Sequence, residues 1–170
     1  MTNHKRNTIK QLRYCFIYTQ HVASSLRPAA STLVIPKIFK LQDRALRIIS
    51  FSDFRSDPNP IYRNFKILNL HDQIILQNVL FTHDALKNAA PTCFNEYFTQ
   101  TRETHSHNTR NSTLGCLALS HSGTIRYGIL SITSQCISDW NDISKSLQLD
   151  LLTLSRYELK SKLTKHLREQ

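Results

Sequence analysis

Lys37-Ile38-Phe39-Lys40-Leu41-Gln42-Asp43-Arg44-Ala45-Leu46-Arg47-Ile48-Ile49 carries the pattern that decides the fold. Lys37, Lys40, Arg44 and Arg47 step by three, four and three, the spacing of one face of an α-helix. Ile38, Leu41, Ala45 and Ile48 step the same way beside them, and Phe39, Leu46 and Ile49 widen the apolar arc. The apolar side predicts a core contact. The basic side predicts either a solvated face or a negatively charged partner. Upstream, Pro36 suits the first turn of this helix, while Pro28 and the small residues at 29–32 read as a break after an earlier helical stretch over 5–22.

Downstream, Asp57-Pro58-Asn59-Pro60 is a firm break, followed by a short helix with Ile61, Phe65 and Leu68 inward. Asn69 with Asp72 three residues on is a helix start, and Ile74, Ile75, Leu76, Val79, Leu80, Phe81 and Leu86 make the most apolar helix, which Pro91 stops. Thr92 caps one more short helix with Phe94, Tyr97 and Phe98. Residues 99–124 are rich in Ser, Thr and His and read as a loop, and residues 125–133 alternate loosely, as a short strand does. Trp140 falls in a short helix. Ser155 and Glu158 form a capping box that opens a last helix, with Leu159, Leu163 and Leu167 on one face and Lys160, Lys162, Lys165 and Arg168 on the other. The fold class is mainly α: a small helical bundle, a loop-rich segment with a short strand, and a C-terminal helix. The segments are 1–36, 37–99, 100–134 and 135–170.

Composition narrows the function classes. Only three glycines occur, all between Gly115 and Gly128, which excludes a phosphate-cradling P-loop and a GxGxxG dinucleotide fingerprint. No apolar run approaches 18 residues, so no membrane span is expected. The net charge of +10 is uneven: residues 1–66 carry +9, residues 67–152 carry −2 and residues 153–170 carry +3. Two basic ends around a near-neutral middle favour a polyanion as partner. Four cysteines without a CxxC pair, and an N-terminus without a secretory core, predict reduced thiols in an intracellular protein, nuclear or cytoplasmic.

Catalytic chemistry is thinly represented. Two-metal nucleotidyl transfer needs clustered carboxylates, and the chain has no adjacent acidic pair. Asp139 and Asp142 flank Trp140 and read as a solvated helix face. His105 and His107, with Cys93 and Cys116 around them, form the one cluster resembling a metal site; their spacing fits no standard finger, and loop histidines bonding backbone explain them more simply. No metal or cofactor is expected. Trp140 reads as a core anchor before a base-stacking platform.

Leu41-Gln42-Asp43-Arg44-Ala45-Leu46-Arg47-Ile48-Ile49 resembles the Leu-Gln-(Lys/Asn)-Arg-Ala-(Ile/Leu)-Arg-Ile-Ile run of non-LTR, LINE-type (jockey-like) retrotransposon reverse transcriptases. Five further segments resemble that family in its order. They are Leu12-Arg13-Tyr14-Cys15; Ile67-Leu68-Asn69-Leu70 with Leu76-Gln77; His105-Ser106-His107-Asn108-Thr109-Arg110; Ser131-Ile132 with Trp140-Asn141; and Leu159 to Leu167. The chain departs from the pattern at Asp43, at Ser144 (where the family has proline) and at Leu159 in place of phenylalanine. The resemblance implies a thumb-like helical region and the tail behind it, without the palm and its Tyr-x-Asp-Asp strand. It implies a piece of an RNA-directed DNA polymerase that is not itself an enzyme. Its expected partner is the backbone of an RNA–DNA hybrid or duplex, met by Lys37, Lys40, Arg44 and Arg47 with Lys160, Lys162, Lys165 and Arg168 as a secondary face. Apolar surface left by the missing palm would favour self-association. The alternative is a helical protein-interaction module with no nucleic-acid role.

Overall fold

A computed structural model describes residues 28–91, 94, 97–104, 109–118 and 132–169. Its order is α1 (Pro28–Ser50), α2 (Asn59–Phe65), α3 (Leu70–Leu86), α4 (Thr101–Thr104), α5 (Arg110–Thr113), α6 (Ile132–Leu147), a 3-10 turn (Leu151–Thr153) and α7 (Arg156–Glu169). The protein is mainly helical, as the periodicity predicts. The earlier helix expected over 5–22 lies outside the described residues.

α1 begins eight residues before Pro36 and runs through it. Pro28 takes the first turn instead, where a missing N–H costs nothing, and the small residues at 29–32 continue the helix. The inward face also differs from the expected one. Gln42 and Leu46 are buried, whereas Leu41 and Ile48 are 63% and 65% exposed. Hydropathy reads Gln42 as outward. In the fold its Oε1 accepts from Leu70 N–H at 3.0 Å and its Nε2 donates to the Leu68 carbonyl at 3.4 Å, so it serves backbone groups at the start of α3.

α3 starts as predicted, with the Asn69 side chain accepting from Asp72 N–H at 2.8 Å. It stops at Leu86, ahead of Pro91. Asn88 adopts a left-handed conformation (φ 55). Ala89 N–H then bonds the Asp84 carbonyl and Asn88 N–H the Ala85 carbonyl, the paired closure of a Schellman end.

α3 packs against α6 and α7 around a core that includes Val79, Leu80, Ile137, Trp140, Ile143, Leu151, Leu159 and Leu163. Phe81 meets Phe94 and Phe98 edge-on, at centroid distances of 5.0 and 6.2 Å. The loop expected over 99–124 holds the one-turn helices α4 and α5 and an antiparallel bridge between Gln100 and Leu117. Short side-chain bonds make those turns: Thr109 Oγ1 accepts from Ser112 N–H, and Ser112 Oγ takes the Thr109 N–H. Of the strand expected over 125–133, Ile132 and Thr133 belong to α6; the rest lies outside the described residues. Among the described residues no helix is long and apolar enough to cross a membrane.

Trp140 is the anchor the sequence suggests. It is fully buried, and its indole N–H donates to the Gly115 carbonyl at 3.0 Å. Asn141 clamps the next segment from both sides, accepting from Leu117 N–H at 2.7 Å and donating to the Leu117 carbonyl at 3.0 Å. Gly115 is required there: its φ is +64, and a Cβ would stand 2.3 Å from Asp150 Oδ1. Asp139 is not the solvated residue expected. It is half-buried and accepts from Asn78 Nδ2 at 2.8 Å; burial raises its carboxyl above the ordinary range, against that hydrogen bond.

Candidate nucleic-acid interface

α7 is held at its first turn by a capping box and by contacts to α3. Ser155 N–H donates to Glu158 Oε2 at 3.0 Å and Glu158 N–H to Ser155 Oγ at 3.3 Å, closing the capping box. The backbone bond from Ser155 holds the Glu158 carboxyl below its ordinary range. Arg156 Nε lies 2.9 and 3.0 Å from the two carboxylate oxygens of Asp84, and His83 Nε2 lies 3.1 Å from the Leu154 carbonyl. The end of α3 thus holds the beginning of α7. Leu159, Leu163 and Leu167 are buried against α3 and α6.

With the leucines inward, Tyr157, Lys160, Ser161, Thr164, Lys165 and Arg168 follow one another at i, i+3, i+4, i+7, i+8 and i+11 along a single stripe. The stripe forms one wall of a cleft of about 940 Å³. The facing wall comes from α2, the turn at 66–69 and the first turn of α3. There Arg63 and Lys66 are exposed, and Lys66 sits in the left-handed conformation (φ 54) that ends α2. Five cations therefore line the cleft against two acids, Asp72 and Glu169. Burial pushes the Asp72 carboxyl above its ordinary range, with His71 acting in the opposite sense.

The candidate residues from the sequence divide between this cleft and other places. Lys160, Lys165 and Arg168 line it; Lys162 does not, and its charge acts on Glu158 one turn back. Lys37, Lys40 and Arg44 are exposed on α1, away from the cleft lining. Arg47 is half-buried and partly engaged: its Nε donates to the Ser56 carbonyl at 2.9 Å and pins the loop after α1. Asp43 is also occupied, accepting from the Tyr62 hydroxyl at 2.8 Å. Burial first, and that bond second, push the Tyr62 hydroxyl well above its ordinary range.

Of the weak metal candidates, Cys116 is buried, and burial raises its thiol. Cys93, His105 and His107 lie outside the described residues. Among the described residues no three His, Cys, Asp or Glu side chains gather as a ligand set. Sequence reasoning missed Arg63, Lys66 and Tyr157. The i, i+3, i+8, i+11 spacing of Tyr157, Lys160, Lys165 and Arg168 was a readable signal for one of them. Arg63 and Lys66 belong to the cleft only through the docking of α2 near α7, which no local pattern encodes. No protein family, curated protein or solved structure matches this chain.

Proposed function

We propose that the chain is a non-catalytic thumb-and-tail segment of a non-LTR reverse transcriptase that binds nucleic-acid backbones without reading their sequence. The observation that carries this reading is the cleft, where Arg63 and Lys66 face Lys160, Lys165 and Arg168. Opposed rows of cations suit a phosphate chain, and contacts to phosphates position a nucleic acid without selecting bases. Lys37, Lys40 and Arg44 on α1 add a second, outlying set of backbone contacts.

Fluorescence anisotropy with labelled oligonucleotides of unrelated sequence tests the proposal. Affinity is expected to fall steeply with salt and to vary little with sequence. The exposed triple variant Lys160→Gln/Lys165→Gln/Arg168→Gln should flatten the logarithmic salt slope by up to about 2.1 on a single strand, about 0.7 for each phosphate no longer neutralised. A slope unchanged in a variant of equal helicity removes the cleft from the reading. Primer extension on an RNA template with magnesium or manganese should yield no product; template-dependent synthesis would replace the proposal with an enzyme.

One observation favours a second reading, a helical module that self-associates. Leu41, Ile48, Phe51 and Phe54 are 63%, 65%, 90% and 73% exposed on and just after α1. Concentration-dependent sedimentation abolished by Ile48→Lys with Phe51→Lys, and insensitive to salt, would support it.

A further inference from the structure

Resting on the backbone-binding reading, we infer that the cleft between α2 and α7 takes one strand of nucleic acid, with a base stacked on Tyr157. The dimensions come first. From Tyr157 to Arg168 the stripe rises about 16 Å, at 1.5 Å per residue. The open cleft of about 940 Å³ runs beside that stripe. A duplex keeps its base faces stacked inside, whereas a single strand laid along the stripe can turn one base outward onto an exposed ring.

The chemistry of the lining fits the same occupant. Lys160, Lys165 and Arg168 lie along one wall, and Arg63 and Lys66 along the other, so a phosphate chain threading the cleft meets cations from both sides. Tyr157 stands at the N-terminal end of the stripe and is 82% exposed. Its ring packs into no core, unlike Tyr62 on the opposite wall, which is buried and bonded to Asp43. An exposed aromatic face continuous with a cationic groove is the arrangement that holds unpaired bases, because every base offers a π-face. A polyanion without bases would use the cations and ignore the ring.

The test uses the full chain with three probes: fluorescein-labelled dT20, a labelled 20-base-pair duplex, and inorganic polyphosphate as competitor. dT20 should bind more tightly than the duplex at equal salt. Tyr157→Ala should weaken dT20 binding about five- to a hundredfold, the range for removal of a stacking ring. It should leave duplex affinity and the polyphosphate competition constant of the protein unchanged, and Tyr157→Phe should retain dT20 binding. Because Tyr157 is a surface residue, equal helicity of the variants by circular dichroism is expected. Equal weakening of polyphosphate and dT20, or dT20 binding that Tyr157→Ala leaves intact, overturns the single-strand assignment while backbone binding stands. Salt-insensitive behaviour, or no binding by either oligonucleotide, overturns both.

Discussion

The two ends of the described fold are held together by different forces. Around Trp140, fifteen buried residues from α3, α6, α7 and their connections share one core. Between α1 and α2 the shared core has three buried members, Leu46, Ile61 and Tyr62. Hydrogen bonds carry the second junction: Gln42 to Leu68 and Leu70, Tyr62 to Asp43, and Arg47 to Ser56. Apolar burial is non-directional and accumulates with area, whereas each net hydrogen bond adds only about 0.5–1.5 kcal/mol and depends on geometry. The α1–α2 junction is therefore the weaker and the more specific of the two. It is also where the most recognisable stretch of sequence lies.

The largest expected effect strikes the strong region. Trp140→Ala should cost about 3–5 kcal/mol, since it empties the centre of the core and strips the Gly115 carbonyl of its donor. Urea unfolding followed by circular dichroism checks this, and a destabilisation below about 1 kcal/mol would mean that the bundle does not depend on its anchor.

Gln42→Ala should cost about 1–3 kcal/mol by leaving the buried Leu70 N–H unpaired, while the Leu68 carbonyl keeps its donor from Gln73 Nε2 at 2.8 Å. The effect should appear as faster amide exchange confined to residues 37–50 and 61–70, with Val79 and Leu163 still protected. Equal acceleration at Val79 and Leu163 would merge the two regions into one cooperative unit. Tyr62→Phe removes only the bond to Asp43 and should cost about 0.5–1.5 kcal/mol, read at the same amides.

The smallest effect concerns pH. Burial raises the Asp139 carboxyl in the fold, so its charged form opposes folding; the full cost holds above the folded value, shrinks as pH falls through it, and is gone below the unfolded value. Asp139→Asn keeps an acceptor for Asn78 and should raise the midpoint at pH 7 by roughly 1–3 °C. The advantage should close as pH approaches 4, by thermal scans. Glu158 acts with the opposite sign: its lowered value stabilises the fold above the unfolded value, an effect that disappears on acidification. Both proteins share it, so it cancels in the comparison.

Sequence alone discloses what local chemistry controls. The Asn69 cap, the Ser155–Glu158 box and the Leu159-Leu163-Leu167 face form where the residue pattern places them, because each is settled within one or two turns. The orientation of α1 was not legible. Its buried centre is a glutamine whose partners stand 26 and 28 residues away, and hydropathy has no means of weighing such a bond. The cleft was half legible for the same reason: α7 states its own stripe, while Arg63 and Lys66 enter through tertiary docking.

Pro36 gives α1 a mechanical character. Among the described residues, the side-chain bonds that tie this 23-residue helix to the rest of the fold come from Gln42, Asp43 and Arg47. A load at Pro28 thus acts on Gln42 through a lever arm of about 21 Å. Between load and fulcrum, Pro36 removes one rung of the hydrogen-bond ladder, the N–H that would have met the Thr32 carbonyl. Bending concentrates at that soft point, about 9 Å short of the bonds to Leu68 and Leu70.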